Sequence, residues 1–477
     1  MMTHSDPIPG SFSRAAINNL QFYCLVAAGV LELLFLILGS LFHYIAYYFV
    51  ENYLIIPCAG FFALSLVTKA PSYARKSLFL SLAMVAWFII TQTVHRFQTM
   101  EAKVIGMFVC TYLLAFPYSS VTEDGVRQRG LKWISAIYIA VPLVLSAYGT
   151  MLYFGLIPSW FQNEVCWDGA RLQALWHPNI CACLFMIGIA LCLGLFFQSK
   201  KPYAKAALLL ACGIQFIFLS LTNCRTSILM TCALIGGIFF FAVYRGGWLR
   251  SVVCALISLS IMLGLFLISN TLYKSNETAL IEHYTTQLEN TPEAQSSTAS
   301  DPSDSETIPV EIDPQTGEVT LQTVSGQGSL LNDLKTLNGR TAIWQAALNA
   351  LRDNKRILLF GTEYVGTSIS YYNASPVVHG HNSWVEITFR MGLLGLLMAL
   401  GFTWIGLRSA ITLIFDSRTD MWKKSVSLLM LCVMVAGALE PFLFSADISY
   451  HFLDFFFFTC LGYLNTWYHQ RREGSGV

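Results

Sequence analysis

The feature that most limits how this chain can fold is its set of long apolar segments. As a helix, each would be about as long as a bilayer is thick. A membrane-spanning helix needs about 20 mainly apolar residues. About twelve segments meet this requirement. They lie near residues 20–41, 45–68, 76–95, 102–119, 131–155, 178–198, 203–222, 226–244, 249–271, 388–414, 422–440 and 444–467. With 55% hydrophobic and 12% charged residues, the sequence predicts an all-α polytopic membrane protein.

Basic residues follow every second apolar segment. They are Lys69, Arg75 and Lys76; Arg127, Arg129 and Lys132; Lys200, Lys201 and Lys205; Arg245 and Arg250; Arg408, Arg418, Lys423 and Lys424; and Arg471 and Arg472. Because short loops rich in Lys and Arg stay on the cytoplasmic side of a membrane, the pattern predicts that both termini are cytoplasmic. An even number of spans agrees with that orientation.

The longest polar stretch lies before the tenth apolar segment, on the predicted extracytoplasmic side. We therefore expect nine spans in residues 1–271, a large outer loop in 272–387, and three spans with a cytoplasmic tail in 388–477. The part from 271 to 338 holds 11 Asp and Glu against 2 Lys. An acidic outer loop thus accompanies a basic membrane body.

The outer loop is not uniform along its length. Residues 293–308 are rich in Ser, Thr, Asp, Glu and Pro, which predicts disorder. Residues 310–321 alternate about a Pro/Gly turn, as in a β-hairpin. Residues 339–355 return to helical periodicity.

Chemistry-bearing side chains crowd the stretch from His379 to Glu386, where the outer loop ends. Histidine can change its charge near neutral pH, so His381 is a candidate general base, and His379 is a weaker one. Asn382 lies beside it. Glu386 could orient His381 or favour the N-terminus of the following helix. The alternative is a histidine that only hydrogen-bonds at a helix start.

Two glycines follow on the same predicted helix. Gly392 and Gly395 are spaced i and i+3, so they share one face. Small residues at that spacing would let another backbone approach closely.

Arginines at membrane depth are candidates for anion binding, because a guanidinium can bind phosphate oxygens with two hydrogen bonds. Arg225 stands in a very short outer turn, although it could instead extend to the lipid headgroups. Arg340 should lie near a helix N-terminus, or be a solvated surface residue. Arg171 adds outer positive charge. Asn179 is expected to point into the bundle or cap a loop, and the alternative is a device that only starts a helix.

Polar residues also interrupt the last apolar segment. Asp447, His451 and Asp454 are expected to face the interior of the bundle, since charged groups facing lipid are costly. The sequence identifies no partner for them.

The sequence lacks the motifs of several common enzyme and nucleotide-binding families. It has no P-loop, no GxSxG and no dinucleotide-binding GxGxxG after a strand. It has no Asp-x-Asp pair for a divalent metal. An extracytoplasmic site has no access to cytoplasmic ATP or nucleotide sugars, so a donor there should be an activated molecule presented in the membrane.

The motifs resemble the O-antigen ligase / O-antigen polymerase family of bacterial membrane glycosyltransferases. The carrying elements are His381-Asn382 followed after nine residues by Gly392-Leu393-Leu394-Gly395; Gly339-Arg340 with Ile343-Trp344; Leu359-Phe360-Gly361; Thr222 with Arg225; and Pro178-Asn179. The chain departs from the family in three places. Cys224 replaces a usual serine, Arg390 stands where an acidic residue is frequent, and the acidic insert at 275–330 is long.

The resemblance implies a GT-C-like fold and a metal-independent, inverting glycosyl transfer at the bacterial cytoplasmic membrane, without a cofactor. The donor would be a glycan on undecaprenyl pyrophosphate and the acceptor a glycan, lipid or protein hydroxyl; membrane lipids surround the protein and no nucleic acid is involved. His381 would be the base, with Asn382 and Glu386 completing the catalytic set. Arg225, Arg340 and Arg171 would bind pyrophosphate. Supporting residues would be Asn179, Gly339, Trp344, Gly392 and Gly395.

Other functions remain open at the level of sequence. A repeat-unit polymerase and a protein O-oligosaccharyltransferase share the chemistry and differ from a ligase in acceptor. A multi-pass lipid or solute transporter would use Arg225 and His381 in a transport pathway, but repeated halves and helices broken at mid-membrane, common in transporters, are not evident. A purely structural membrane protein is the remaining alternative. The acidic insert would be a spacer or a gate for the acceptor.

Overall fold

A computed structural model of the protein describes the following residues. They are 14–41, 45–68, 72–95, 108–153, 156, 167–168, 171–172, 178–244, 248–290, 310–312, 319–321, 340–362, 365–371, 380–444 and 451–474.

Helices make up nearly all of the described chain. In order they are α1 (Arg14–Leu41), α2 (Ile45–Val67), α3 (Ser72–Val94), α4 (Phe108–Val121), α5 (Asp124–Tyr153), α6 (Pro178–Gln198), α7 (Pro202–Leu221), α8 (Arg225–Val243), α9 (Trp248–Asn290), α10 (Arg340–Asp353), α11 (Lys355–Phe360), α12 (Val365–Ser370), α13 (Ser383–Phe415), α14 (Met421–Gly437) and α15 (His451–Gly474). α4 contains a π-helical stretch, Thr111–Ala115.

Eight of these helices contain stretches long and apolar enough to cross a membrane, among the residues that the structure describes. They are Ala15–Leu34, Ser72–Val94, Asp124–Tyr148, Pro178–Gln198, Pro202–Leu221, Arg225–Val243, Leu249–Ala279 and Ser383–Phe415. Tyr53–Val67 and Phe108–Val121 are shorter apolar helices. The all-helical, polytopic architecture is therefore confirmed, and the finer count of twelve spans stays a prediction.

Two short antiparallel hairpins complete the secondary structure of the described residues. β3 (Val310–Ile312) pairs with β4 (Val319–Leu321), with Val310 opposite Leu321, which confirms the predicted hairpin. β1 (Trp167–Asp168) pairs with β2 (Arg171–Leu172), a hairpin that was not predicted. The segment 293–308, for which we predicted disorder, lies outside the described residues.

α9 is much longer than the span predicted for it. The expected outer loop begins at residue 272, yet the helix continues to Asn290. Residues 272–290 contain neither Gly nor Pro, and the next proline is Pro292. Because neither residue type interrupts this stretch, nothing in it disfavours a helix that continues to Asn290.

The chain forms two compact units. The first comprises Met1–Ile137, Ile343–Thr419 and Gly437–Val477, and the second comprises Tyr138–Ala342 and Asp420–Ala436.

Aromatic rings pack the centre of the first unit. The Tyr112 ring lies 4.6 Å from that of Phe458 and 5.4 Å from that of Phe402. Phe116 meets Phe402 edge to face at 4.9 Å. These side chains are almost fully buried, so α4, α13 and α15 share one apolar core.

A buried polar chain joins α1, α4 and α15 in the first unit. His451 Nδ1 lies 2.9 Å from Glu32 Oε2, and its Nε2 lies 3.1 Å from Thr111 Oγ1. His451 and Asp454 are both buried, as expected. Asp447 lies outside the described residues. The structure thus identifies the partner of His451 on the first helix, a contact across most of the sequence.

Small residues pack the helices of the second unit. Gly188 on α6 lies against the side chain of Gln215, and Gly194 lies against Trp422. Gly236 on α8 approaches Met262. Such contacts let large side chains of neighbouring helices pack directly against a helix backbone.

α13 is broken at Gly392, where φ is 66° and ψ is −169°. A break frees carbonyl groups, and a free carbonyl is costly inside a membrane. The Phe389 carbonyl accepts a hydrogen bond from the Thr362 N–H. The Met391 carbonyl accepts one from the Trp87 indole at 2.8 Å. The break is therefore satisfied by side-chain and backbone donors from outside α13.

Two glycines make this close contact possible. Gly361 and Gly392 both have positive φ, at 80° and 66°. A Cβ on Gly392 would collide with the Leu359 carbonyl, and a Cβ on Gly361 would lie 2.5 Å from the Phe389 carbonyl oxygen. The prediction that Gly392 lets another backbone approach is confirmed.

The same prediction is wrong for Gly395. The three atoms nearest to a Cβ at this position all belong to the side chain of Met391, four residues earlier on the same helix. The helix is broken at Gly392, so the i, i+3 rule, which assumes an unbroken helix, does not apply to this pair.

Gly392→Ala should destabilise the protein by about 2 kcal/mol or more, because a left-handed backbone is strained for alanine and the new Cβ meets a carbonyl. Gly401→Ala is the matched control on α13, since nothing lies within 4 Å of a Cβ there. Thermal unfolding in detergent measures both. Equal melting temperatures for the two variants would contradict the close contact.

Glu32→Met should destabilise by about 1–3 kcal/mol, because it leaves buried His451 Nδ1 without its carboxylate acceptor. The double variant Glu32→Met/His451→Leu removes both polar partners and should recover part of the loss. Thermal unfolding distinguishes the two. A double variant less stable than Glu32→Met would argue against a specific pair.

Candidate functional site

His381 lies in a tight turn immediately before α13. Its φ is 47°, in the left-handed region that few non-glycine residues adopt. Such a conformation costs of order 1–3 kcal/mol and persists only where neighbouring contacts hold it. The His381 turn, residues 380–382, is held from both sides by side chains of the first unit.

Asn382 holds the turn on its C-terminal side. Its Oδ1 accepts hydrogen bonds from the N–H groups of Trp384 at 2.8 Å and Val385 at 3.3 Å, which caps α13. Its Nδ2 donates to the Ala438 carbonyl at 2.7 Å. One carboxamide therefore joins the start of α13 to the turn that follows α14.

Gly380 holds the turn on its N-terminal side through both of its peptide groups. Its N–H donates to Glu386 Oε1 at 2.6 Å, and its carbonyl accepts from Trp344 Nε1 at 3.1 Å. A Cβ on Gly380 would lie 2.6 Å from Val385 Cγ1. The packing leaves room only for glycine immediately before His381.

Glu386 is buried, with 1% of its side chain exposed. Its Oε2 lies 3.4 Å from Arg390 Nε, one helical turn later. Arg390, the departure from the family pattern, is thus the counter-charge of this carboxylate. A carboxylate so placed acts on the backbone of the turn and is shielded from solvent.

The turn after α14 forms the other support, and the sequence did not reveal it. Ser383 Oγ donates to the Glu440 carbonyl at 3.0 Å and accepts from the Leu443 N–H at 2.9 Å. The Phe444 N–H donates to Asp454 Oδ1 at 3.0 Å. The Glu440-Pro441 pair signals a chain turn, but the sequence does not show which residues it meets.

A second group of predicted residues gathers in the second unit, around the turn between α7 and α8. Arg171 Nε donates to the Thr222 carbonyl at 3.1 Å, and its Nη2 donates to Asn179 Oδ1 at 3.4 Å. The Cys224 N–H donates to Thr222 Oγ1 at 3.2 Å. Arg225 follows as the first residue of α8. The structure therefore brings Arg171, Asn179 and Arg225 to one short turn.

This Thr222 turn, residues 222–225, concentrates positive charge. The charges of Arg171 and Arg225 act on one another, and Tyr273 lies near enough to Arg225 to interact with it. The N-terminal N–H groups of a helix add a partial positive charge at the same place. Two guanidiniums at a helix N-terminus form an arrangement suited to a phosphate or pyrophosphate.

Arg340 is the first residue of α10, as predicted. On the same helix Ala346, Ala347 and Ala350 pack with Ile369 and Phe389 in a buried cluster. This packing holds α10 and thereby the Trp344 indole that binds Gly380. Gly339 and His379 lie outside the described residues.

Asn382→Ala should destabilise the protein by about 2 kcal/mol, roughly 1 from the lost cap and 1 from the lost bond to Ala438. Asn382→Ser keeps a capping oxygen and should lose about half as much. Asn354→Ala is a matched control, because Asn354 caps α11 and should cost about 1 kcal/mol. Thermal unfolding in detergent ranks the three variants by stability. If Asn382→Ala and Asn354→Ala lower the melting temperature equally, the contribution of the hydrogen bond from Asn382 to the Ala438 carbonyl is contradicted.

Comparison with known families assigns part of this chain. Residues 207–400 match the O-antigen ligase family, Wzy_C. The match contains Arg225, Arg340 and His381, and it stops after Gly395. No curated protein matches the chain. The protein is therefore a multi-pass membrane protein whose residues 207–400 are an O-antigen ligase domain of the Wzy_C family.

Proposed function

We propose that this protein transfers a glycan from undecaprenyl pyrophosphate to an acceptor hydroxyl on the outer face of the bacterial cytoplasmic membrane. The observation that carries the proposal is the His381 turn, which holds a histidine in a left-handed backbone conformation between two sets of hydrogen bonds. Strained, well-supported residues of this kind are concentrated at active sites.

The family supports the class of reaction. An O-antigen ligase domain implies a glycosyltransferase-type enzyme that acts on lipid-linked glycans. The acceptor in our proposal is a cell-envelope molecule, as for a ligase. A second lipid-linked glycan or a protein hydroxyl would be attacked by the same chemistry.

In the proposed reaction His381 is the general base. The imidazole takes the proton from the acceptor hydroxyl as its oxygen attacks the anomeric carbon of the donor sugar. The new carbon–oxygen bond forms on the face opposite the pyrophosphate, and the bond from the anomeric carbon to the phosphate oxygen breaks. Its electron pair leaves with undecaprenyl pyrophosphate, so the anomeric configuration is inverted.

Arginines would bind the leaving group. Arg225 and Arg171 at the Thr222 turn, together with Arg340 at the start of α10, supply positive charge as negative charge develops on the pyrophosphate. Pyrophosphate is a good leaving group, so positioning and charge stabilisation suffice for this step and the proposal includes no cofactor and no metal.

The remaining predicted residues would position these groups. Glu386 and Trp344 hold Gly380, and Asn382 fixes the start of α13. Gly392 permits the contact with α11. We therefore assign Glu386 a positioning function in place of direct contact with substrate, because its carboxylate is buried.

The proposal includes an orientation. Both termini are cytoplasmic, residues 1–271 and 388–477 contain the spans, and the loop 272–387 is extracytoplasmic. The acidic part of that loop is a solvated spacer before the His381 turn.

His381→Ala should lower glycan transfer at least 100-fold, since a general base contributes that much or more. Arg225→Ala should lower it about 100-fold through loss of one charge-stabilising donor. The measurement is the amount of surface polysaccharide in a deletion strain complemented with each variant, with membrane levels of the protein quantified. The lipid-linked donor should accumulate.

Arg352→Ala is the matched control for Arg340→Ala, because it lies on the same helix, is 72% exposed and contacts Asp353. Arg340→Ala should reduce the polysaccharide, and Arg352→Ala should leave it unchanged. Full restoration of the polysaccharide by His381→Ala and Arg225→Ala would refute the assignment and favour a transporter or structural protein.

A further inference from the structure

The far end of α13 carries a second cationic cluster that the proposed reaction does not use. Arg408 lies near the end of the helix that begins beside His381, about 24 Å of helix beyond the break at Gly392. Near the end of α15, Tyr468, His469 and Arg472 are close to it. Lys76 on α3 completes this Tyr468 cluster, in which the Tyr73 ring stacks on His469 at 4.7 Å.

Two guanidiniums share the ring of Tyr468. The Cζ atoms of Arg408 and Arg472 lie 4.5 Å and 6.0 Å from its centroid. Because the guanidinium of Arg408 lies over an aromatic face, its N–H groups, which lie in the guanidinium plane, point away from the ring and can reach another ligand. Arg408 Nε is buried, and in the described part of the chain no acceptor lies within hydrogen-bond distance of it.

The cluster has an excess of positive charge. Burial and then the charge of Arg408 lower the pKa of His469, with Arg472 and Lys76 acting in the same direction and Glu473 opposing them. The neighbouring Arg471 is already paired with Asp416. Among the charged groups that act on His469, there is thus one acid, Glu473, against the three cations Arg408, Arg472 and Lys76.

An exposed apolar track leads from Arg408 along α13. Trp404, Leu400 and Leu397 precede Arg408 by four, eight and eleven residues, which places them on one helix face. Their side chains are 63%, 45% and 55% exposed. The track runs from the cluster towards the middle of the predicted span, the direction in which an acyl chain would lie.

We propose that the Tyr468 cluster binds the phosphate of an anionic phospholipid, with an acyl chain along the Trp404 track. Arg408 donates to the phosphate oxygens, and Arg472 and Lys76 add positive charge at the rim. Arg408 is partly buried, which strengthens its hydrogen bonds relative to those on a fully solvated surface. The track favours a lipid over free phosphate, which would use only the cations. The predicted orientation places this end in the cytoplasmic leaflet, where anionic lipids attract basic residues.

Binding is measured on the purified full chain in detergent by native mass spectrometry, titrating phosphatidylglycerol, with phosphatidylcholine as the neutral lipid. The wild type should retain phosphatidylglycerol in preference to phosphatidylcholine. Each basic residue near a membrane surface contributes about fivefold, so Arg408→Gln/Arg472→Gln should weaken binding about 25-fold. Arg408→Lys keeps the charge but loses the planar donors, and should give an intermediate loss.

The control is Arg75→Gln/Arg250→Gln, which removes two exposed cations that do not act on His469. It should bind phosphatidylglycerol like the wild type. If the control pair weakens phosphatidylglycerol binding as much as Arg408→Gln/Arg472→Gln does, the effect is one of net charge, and the proposed site is overturned. Arg472→Gln alone is a surface change that preserves folding, so wild-type binding by a folded Arg472→Gln protein would also overturn it.

A second arm separates the two sources of phosphate. Inorganic phosphate, added at up to millimolar concentration, should not displace phosphatidylglycerol from the wild type. Leu400→Gln should weaken phosphatidylglycerol binding without affecting the cations. If inorganic phosphate displaces phosphatidylglycerol completely, or if Leu400→Gln has no effect, the cluster is a site for free phosphate. Either result would refute the proposed lipid site.

Discussion

The two hydrogen bonds to the peptide groups of Gly380 determine where His381 can be. Glu386 binds the N–H and Trp344 binds the carbonyl, so the backbone entering the turn is held from α13 and from α10 together. Asn382 holds the backbone leaving the turn. Because a left-handed histidine is strained, these bonds account for its persistence, and the predicted catalytic site depends on them.

The membrane explains why the surrounding structure is so closely connected. A broken helix is tolerated in a bilayer only if other groups satisfy its free carbonyls. At Gly392 those donors are Trp87 and Thr362, and two positive-φ glycines allow the approach. The same requirement fixes the turn after α14, where Ser383 both donates and accepts. Support for His381 therefore comes from segments far apart in the chain.

Local features were predictable from the sequence, and long-range partners were not. Periodicity indicated α10 and the hairpin 310–321, and the His-Asn and glycine spacing indicated the start of α13 and the contact at Gly392. The carbonyl groups that accept from Asn382 Nδ2 and Ser383 Oγ lie more than fifty residues away, and Glu32 lies at the other end of the chain from His451. No pattern within one segment can report such pairs. The prediction for Gly395 was wrong because the periodicity argument assumed an unbroken helix. The length of α9 was underestimated because hydropathy marks where a span ends but not where a helix ends.

The most direct test of the central claim uses purified protein in liposomes with a labelled undecaprenyl-pyrophosphate glycan and an acceptor, in the presence of EDTA. We expect one undecaprenyl pyrophosphate to be released for each glycan transferred by the wild type. His381→Ala should release almost none while remaining folded. Movement of the intact lipid-linked glycan across the membrane, with no bond broken, would contradict the account and identify a transporter.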